Sequence, residues 1–137
     1  MKIVSACLVG INCRYDGNNN LNKKVMERFL EGELIPLCPE QLGGLSTPRT
    51  PAEIKDNKVF DKNGNDVTEN FIKGAKETLR IAKLLGCKEA ILKENSPSCG
   101  VHNVYDGTFT SKKIKGMGFT AKLLKENGIN VKSEIEL

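Results

Sequence analysis

The sequence predicts an α/β fold: a three-layer, Rossmann-like domain built on a mostly parallel four-stranded sheet. Two observations support this prediction. Short apolar runs typical of buried strands alternate with segments whose apolar residues recur at helical spacing. Glycines, prolines and asparagines mark the boundaries between these segments. The length of 137 residues suits one hydrophobic core, so we predict a single domain over residues 1–137.

The first strand and helix are predicted near the amino terminus. An apolar run predicts a strand over residues 2–6, and a loop rich in glycine and asparagine follows over 7–20. Residues 22–32 are predicted to be helical because their apolar side chains fall on one helical face. The second strand is predicted at residues 34–37. Glycines and prolines crowd residues 39–51, which predicts an ordered loop rather than a helix.

A hairpin and a long helix are predicted next. Residues 52–55 and 58–60 are two short strands separated by an Asp-Asn turn, so they predict a small β-hairpin inserted between the second and third strands of the sheet. The longest helix is predicted over 67–85. Asp66 and Glu69 have the spacing of a capping box at its start.

The carboxyl-terminal part of the chain completes the sheet. The third strand is predicted at residues 89–93, followed by a loop over 94–116, a last helix over 118–127 and a fourth strand over 130–133. We expect the strand order 2-1-3-4. This order places the switch point, where open α/β sheets bind ligands, between the first and third strands.

Three cysteines follow three of the predicted strands. Cys7 follows the first strand, Cys38 follows the second, and Cys99 lies a short loop beyond the third. Because the carboxyl ends of parallel strands lie at one edge of a sheet, we expect the three thiols to meet there. Thiols that are distant in sequence and close in space suggest a metal or cluster site. An iron–sulfur cluster with one open iron position suits three dispersed thiolates.

Other roles for the cysteines are open at this point. No C-x2-C pair typical of a structural zinc site occurs, and buried cysteines also serve as small core residues, which is the role expected of Cys87. Cys7 is also a candidate nucleophile, because a cysteine that follows a strand and precedes Arg14 resembles the phosphate loop of low-molecular-weight tyrosine phosphatases. That loop has about five residues between Cys and Arg, and here six intervene, which counts against this role.

Polar residues beside the cysteines are candidates for chemistry. Glu40 lies two residues after Cys38, and Ser96 lies three residues before Cys99. A carboxylate and a hydroxyl beside a metal can hold and deprotonate water. The alternative is that Glu40 is exposed and Ser96 caps a turn. Arg49 is expected to bind a carbonyl or phosphate group or to form an ion pair, and His102 is expected to order its loop.

The composition narrows the class of partner. A net charge of +4 permits an anionic ligand, but there is no Trp, there are only two Tyr, and the lysines are dispersed, so stable nucleic-acid binding is not expected. The amino terminus lacks the features of a signal peptide, and no apolar run approaches the roughly 20 residues of a membrane helix. We therefore expect a cytoplasmic protein, in which thiols stay reduced.

Several motifs together resemble the DUF523 family, which includes the thiouracil desulfidases. The resemblance covers nearly the whole chain. The motifs are Ser5-Ala6-Cys7-Leu8-Val9-Gly10, Cys13-Arg14-Tyr15-Asp16-Gly17, Cys38-Pro39-Glu40, Gly43-Gly44-Leu45, Pro48-Arg49, Pro51-Ala52-Glu53, Asp66-Val67-Thr68 and Ser96-Pro97-Ser98-Cys99-Gly100.

This resemblance implies a [4Fe-4S] cluster and assigns roles to five residues. Its ligands would be Cys7, Cys38 and Cys99, the same cysteines that the strand ends indicate, and the fourth iron would be free to bind the sulfur of a thiolated pyrimidine. Glu40 and Ser96 would form the catalytic pair.

The same resemblance implies non-redox hydrolysis of the C–S bond of thiolated pyrimidines such as 2-thiouracil, with release of sulfide. The carboxylate would activate water, and the serine would place the substrate or relay a proton. Cys13 stands where related sequences can carry another residue, so we do not expect it to be a ligand. The main alternative is a non-catalytic iron–sulfur or sulfur-carrier protein, and a zinc-bound domain is a second one. The expected partner is a small-molecule thiolated nucleobase.

Overall fold

The computed structural model describes all residues, 1–137, and contains a four-stranded parallel sheet at its centre. The strand order across the sheet is β2-β1-β5-β8. Counting only the strands of this sheet, that is the predicted order 2-1-3-4. The four strands are β1 (Lys2–Ser5), β2 (Leu34–Leu37), β5 (Glu89–Leu92) and β8 (Asn130–Ser133).

Four helices and two hairpins surround this sheet. No helix combines the length and the apolar character that crossing a membrane requires. The helices are α1 (Lys23–Leu30), α2 (Pro39–Leu42), α3 (Thr68–Leu84) and α4 (Phe119–Glu126). The hairpins pair β3 (Ala52–Lys55) with β4 (Lys58–Asp61), and β6 (Asn103–Tyr105) with β7 (Lys113–Lys115). Single 3₁₀ turns occupy Ala6–Val9 and Glu134–Glu136.

The sheet is buried on both faces, as the predicted three layers require. Successive side chains of a strand point to opposite faces. Ile3 packs into one apolar cluster with residues of α3 and α4, and the next residue, Val4, packs into another with Val25 of α1. Because α1 covers one face and α3 and α4 cover the other, the change of face falls between β1 and β5. Open sheets bind ligands at such a point.

The expectation of a continuous loop over residues 39–51 is wrong. Residues Pro39–Leu42 form the short helix α2. Proline suits the first turn of a helix because its fixed φ is helical and its missing N–H would have no partner there. The glycines that follow allow close packing, since a Cβ on Gly43 would overlap the carbonyl of Asn70 in α3. The prolines and glycines therefore bound a helix instead of excluding one.

The expectation of a loop over residues 94–116 is also wrong, because β6 and β7 form a hairpin there. All of β7 is exposed, so its lysines face solvent and its sequence lacks the apolar signature of a buried strand. The helix predicted over 67–85 is confirmed as α3, but Val67 occupies the cap position and makes no capping-box bond. Asp66 instead accepts a hydrogen bond from the Thr68 backbone amide.

Candidate active site

The carboxyl ends of β1, β2 and β5 border a cavity of about 420 Å³. It lies at the switch point of the sheet, where the predicted order places a ligand site. Four thiols line it, those of Cys7, Cys13, Cys38 and Cys99. The structure therefore brings the three cysteines of the predicted strand ends into one cavity and adds a fourth.

Local backbone structure explains the positions of the three strand-end cysteines. Cys7 lies in the 3₁₀ turn directly after β1, which ends at Gly10 with a left-handed φ of 88°. Cys38 is the N-cap residue of α2. The backbone amide of Cys99 donates a hydrogen bond to the hydroxyl of Ser96 at 3.0 Å. Cys7 and Cys38 are thus placed by a turn and a helix start directly after their strands, and Cys99 by a turn that begins a few residues after its strand.

The four thiols differ in exposure. Cys99 and Cys13 are buried, with 5% and 2% of their surface exposed, whereas Cys7 and Cys38 are half-buried. None of them forms a disulfide. Free thiols grouped around one cavity are available as thiolate ligands for a soft metal.

Hydrogen bonding within the group favours the thiolate at two of the cysteines. The Cys13 thiol lowers the pKa of Cys7, and together with the Gln41 backbone amide it brings the pKa of Cys38 to about 7 in spite of burial. The pKa of Cys13 itself is raised, because its proton is held by hydrogen bonds with these two sulfur atoms. Burial raises the pKa of Cys99, and the nearby charges of Cys7 and Cys38 raise it further.

Glu40 lies in the first turn of α2 and lines the same cavity. Burial raises the pKa of its carboxyl group, and the Arg49 guanidinium opposes this rise. The two side chains form an ion pair of 3.1 Å with only 18% and 9% of their surfaces exposed. Arg49 also donates to the carbonyl of Cys13 at 2.8 Å and to the Thr47 hydroxyl at 2.9 Å. The structure therefore shows Arg49 in an ion pair, which was one of its two expected roles. It also binds a carbonyl group, which belongs to the protein's own backbone.

Ser96 is distant from Glu40 in the sequence, but it lines the same cavity. Its hydroxyl oxygen accepts hydrogen bonds from the backbone amides of Ser98 at 3.1 Å and Cys99 at 3.0 Å. Its proximity to Glu40 helps to lower the pKa of that carboxyl group, against the larger effect of burial. The hydroxyl of Ser96 therefore caps its turn and lies near the carboxylate.

Sequence reasoning missed a second buried carboxylate, that of Glu94. It follows β5, lines the cavity and is 4% exposed. Its Oε1 accepts hydrogen bonds from three successive backbone amides, those of Val101, His102 and Asn103, at 2.8, 2.9 and 3.0 Å. Burial opposes its ionisation, but these amides and that of Asn95 outweigh burial and lower the pKa. No sequence signal marks it, since a glutamate in a Lys-Glu-Asn run resembles an exposed residue.

Two other predictions concern residues away from the cavity wall. His102 contacts the Glu136 carboxylate through Nε2 and does not line the cavity, in keeping with a role in ordering its loop. Cys87 is 4% exposed within the apolar cluster under α3 and α4, so the expectation of a core residue is confirmed.

The thiols do not form a compact chelate. No three His, Cys, Asp or Glu side chains lie close enough together to hold one metal ion. A structural zinc site would need such a tetrahedral cage. An iron–sulfur cluster is larger, and each of its cysteines binds a different iron atom. Free thiols that line one cavity are the donors that this second kind of centre uses.

The fold and the cavity define an open parallel α/β protein with a cysteine-rich site at its switch point, lined also by Glu40 and Glu94. The chain belongs to the 2-thiouracil desulfurase family, whose profile matches residues 3–136. The family resemblance seen in the sequence motifs is thereby confirmed.

Two similar proteins match nearly the whole chain. The uncharacterized protein YbbK of Bacillus subtilis (strain 168) is 47% identical over 147 aligned positions, which cover 100% of this chain and 97% of that protein. A solved structure of the [4Fe-4S]-dependent thiouracil desulfidase TudS superposes with a TM-score of 0.95 at 42% identity, covering 99% of this chain and 91% of that one. The α/β fold predicted from the sequence is confirmed by this match.

Proposed function

We propose that this protein is an enzyme that hydrolyses the C–S bond of thiolated pyrimidines such as 2-thiouracil, without net oxidation or reduction, and that it uses a [4Fe-4S] cluster. One observation carries the proposal: three strand ends bring free thiols into one cavity beside the buried carboxylate of Glu40. Membership of the 2-thiouracil desulfurase family and similarity to a [4Fe-4S]-dependent thiouracil desulfidase support it.

Cys7, Cys38 and Cys99 would hold the cluster. They fit this group because thiolates are its usual ligands and because all three line a cavity of about 420 Å³. When bound through three protein ligands, the cluster supplies an open iron position, a soft Lewis acid that favours thiocarbonyl sulfur over carbonyl oxygen.

Glu40 would act as the general base. Burial raises the pKa of its carboxyl group, which makes it a stronger base than an exposed carboxylate, and Arg49 fixes its position. The carboxylate would take a proton from water as the water oxygen attacks the carbon of the thiocarbonyl group.

Ser96 would place the substrate and relay a proton. Its oxygen accepts from two backbone amides, which leaves its proton free for donation. The hydroxyl would donate this proton to the departing sulfur and take one from the carboxyl group, for which one of the two amide hydrogen bonds must open.

The overall reaction balances without any electron donor. Water adds its oxygen to the ring carbon, the C–S bond breaks with its electron pair on sulfur, and the two protons of water end on the sulfide. Thiouracil and water thus give uracil and hydrogen sulfide.

The test is turnover by anaerobically reconstituted protein. Iron and acid-labile sulfide are quantified first, and then uracil and sulfide are measured after incubation with 2-thiouracil. We expect equal amounts of uracil and sulfide and no requirement for a reductant. A cluster-loaded protein that releases neither product would refute the proposed activity.

A non-catalytic iron–sulfur or sulfur-carrier protein is the second candidate. It would bind iron through the same cysteines but would form no uracil. The ion pair of Glu40 and Arg49 at the cavity favours the enzyme, because a carrier does not need a positioned base beside its thiols.

A further inference from the structure

Phe109 is an aromatic residue that the apolar core does not use. It lines the cavity and is half-buried, although its neighbours Thr108 and Thr110 on the same loop are exposed. Its ring belongs to neither apolar cluster and is not packed against either of them. It also takes no part in the aromatic pair of Phe71 and Phe119. A large apolar ring that lines a cavity and supports no core contact is available to a ligand.

The backbone at Phe109 has a conformation that phenylalanine seldom adopts. Its φ is 58°, in the left-handed region that favours glycine. Other residues keep such a conformation only where the surrounding structure enforces it, and they cluster at functional sites. The conformation therefore needs a structural cause and suggests a functional one.

Glu53 of β3 supplies the structural cause. Its Oε1 accepts hydrogen bonds from the backbone amides of Gly107 and Phe109 at 3.0 and 3.1 Å. The loop also lies close against β3, since a Cβ on Gly107 would be 2.8 Å from the carbonyl oxygen of Ile54. Glu53 itself lines the cavity. Its carboxylate thus ties the loop to the cavity wall and fixes Phe109 there.

We propose that the ring of Phe109 stacks on the flat ring of the substrate, which makes Phe109 a specificity-determining residue for thiolated aromatic bases. This inference rests on the proposed function, whose substrates are planar pyrimidines. Stacking on an aromatic side chain holds a base by its face. It leaves the groups at the edge of the base, the thiocarbonyl group among them, free for other contacts. The flat ring would be selected by Phe109, and the sulfur would be selected by the open iron.

The first test is Phe109→Gly. Glycine adopts a φ of 58° without strain, so this change removes the ring while the backbone can keep its path. We expect KM for 2-thiouracil to rise by about five- to hundredfold, with kcat, iron content and the midpoint of thermal unfolding near those of wild type. Steady-state kinetics of the holoenzyme at equal iron loading measure KM and kcat.

Two controls accompany this variant. Phe109→Tyr keeps an aromatic ring at the same place and should leave KM within about threefold of wild type. Asn57→Gly also places glycine at a positive φ, here 63°, in the turn between β3 and β4. Asn57 does not line the cavity, so this second control should have the KM of wild type.

The second test changes the substrate ring. 5,6-Dihydro-2-thiouracil keeps the thiocarbonyl group and both N–H groups of 2-thiouracil, but its saturated carbons pucker the ring and remove its aromatic face. We expect wild-type KM to be at least about fivefold higher for the dihydro compound, and the two KM values to converge in Phe109→Gly. A loop that had only become mobile would raise both KM values and keep their ratio.

The outcomes separate this inference from the proposed function. If wild-type protein releases no sulfide from 2-thiouracil, the proposed function fails and this inference fails with it. If wild-type protein is active but does not distinguish the two compounds, the role of Phe109 is overturned and the function stands. The same holds if Phe109→Gly keeps the wild-type KM or the wild-type ratio of the two KM values. Convergence of the two KM values in Phe109→Gly, together with a wild-type ratio in Phe109→Tyr, supports stacking.

Discussion

Two segments of the cavity wall each combine a thiol with a buried carboxylate, and they stabilise the carboxylate in different ways. In the segment after β2, Glu40 is paired with the guanidinium of Arg49 and lies near the hydroxyl of Ser96. In the segment after β5, Glu94 is bound by three backbone amides in succession. Burial prevails in the first case and raises the pKa, whereas the amides prevail in the second and lower it.

This difference indicates a division of labour. A carboxylate with a raised pKa is a stronger base than an ordinary one, whereas one with a lowered pKa stays charged and accepts hydrogen bonds. Two carboxyl groups whose surroundings shift their pKa values in opposite directions commonly have distinct roles in one active site. Glu40 therefore suits proton transfer, and Glu94 suits the fixing of the backbone that follows Cys99.

The largest expected effect comes from removing a thiol, and we expect it to be equally large in the two segments. Cys38→Ser and Cys99→Ser each remove one thiolate from the cavity, so we expect loss of the bound iron and no measurable turnover. Cys87→Ser is the control, because Cys87 lies in the core away from the cavity. It should keep its iron and lose only stability. Full turnover in either cavity variant would contradict the assignment of cluster ligands.

The next effect separates the two carboxylates. Glu40→Gln removes the proposed base and should lower kcat by about 10²- to 10⁴-fold with KM and iron content nearly unchanged. Glu94→Gln should lower stability instead and keep kcat within about threefold of wild type, because a neutral amide oxygen accepts more weakly than the carboxylate from the three backbone amides. Steady-state kinetics of both variants at equal iron loading measure the contrast. Equal losses of kcat in the two variants would show that the carboxylates do not divide the work.

Arg49→Lys tests how the Glu40 segment is fixed. Lysine keeps the positive charge but cannot bond Glu40, Thr47 and the Cys13 carbonyl at once as the guanidinium does. We expect kcat to fall by about ten- to hundredfold, because the carboxylate is less well oriented. The same change at Arg80, which pairs with Glu77 on the exposed surface of α3, should leave kcat unchanged.

The smallest expected effect comes from the packing beneath the Glu40 segment. A Cβ on Gly74 of α3 would overlap the carbonyl of Pro39 in α2, so Gly74→Ala should lower the free energy of unfolding by about 1–3 kcal/mol and displace α2. Urea denaturation measures this loss. Lys73→Ala, at an exposed position of the same helix, should change stability by less than about 0.5 kcal/mol. A fully stable Gly74→Ala protein would show that α2 is free to shift.

Much of the frame was predictable because it depends on local patterns. Three of the four sheet strands contain short apolar runs, and residues 34–37 and 130–133 were predicted with the bounds that the structure has. The hairpin at β3 and β4 follows from its turn residues. The hairpin at β6 and β7 was missed since its exposed lysine strand has no buried face, and α2 was missed since one helical turn has no periodicity.

The sequence alone determined where the thiols lie, and only the tertiary structure decided which polar groups accompany them. Buried parallel strands end at a common edge, so residues that follow them are brought together by the sheet whatever their side chains. Glu40 bonds a residue nine positions further along the chain, and Glu94 bonds residues seven to nine positions further along. These partners depend on the path of the loops between them and on how far burial removes each carboxylate from water. These are properties of side-chain orientation and desolvation, which no spacing of residue types specifies.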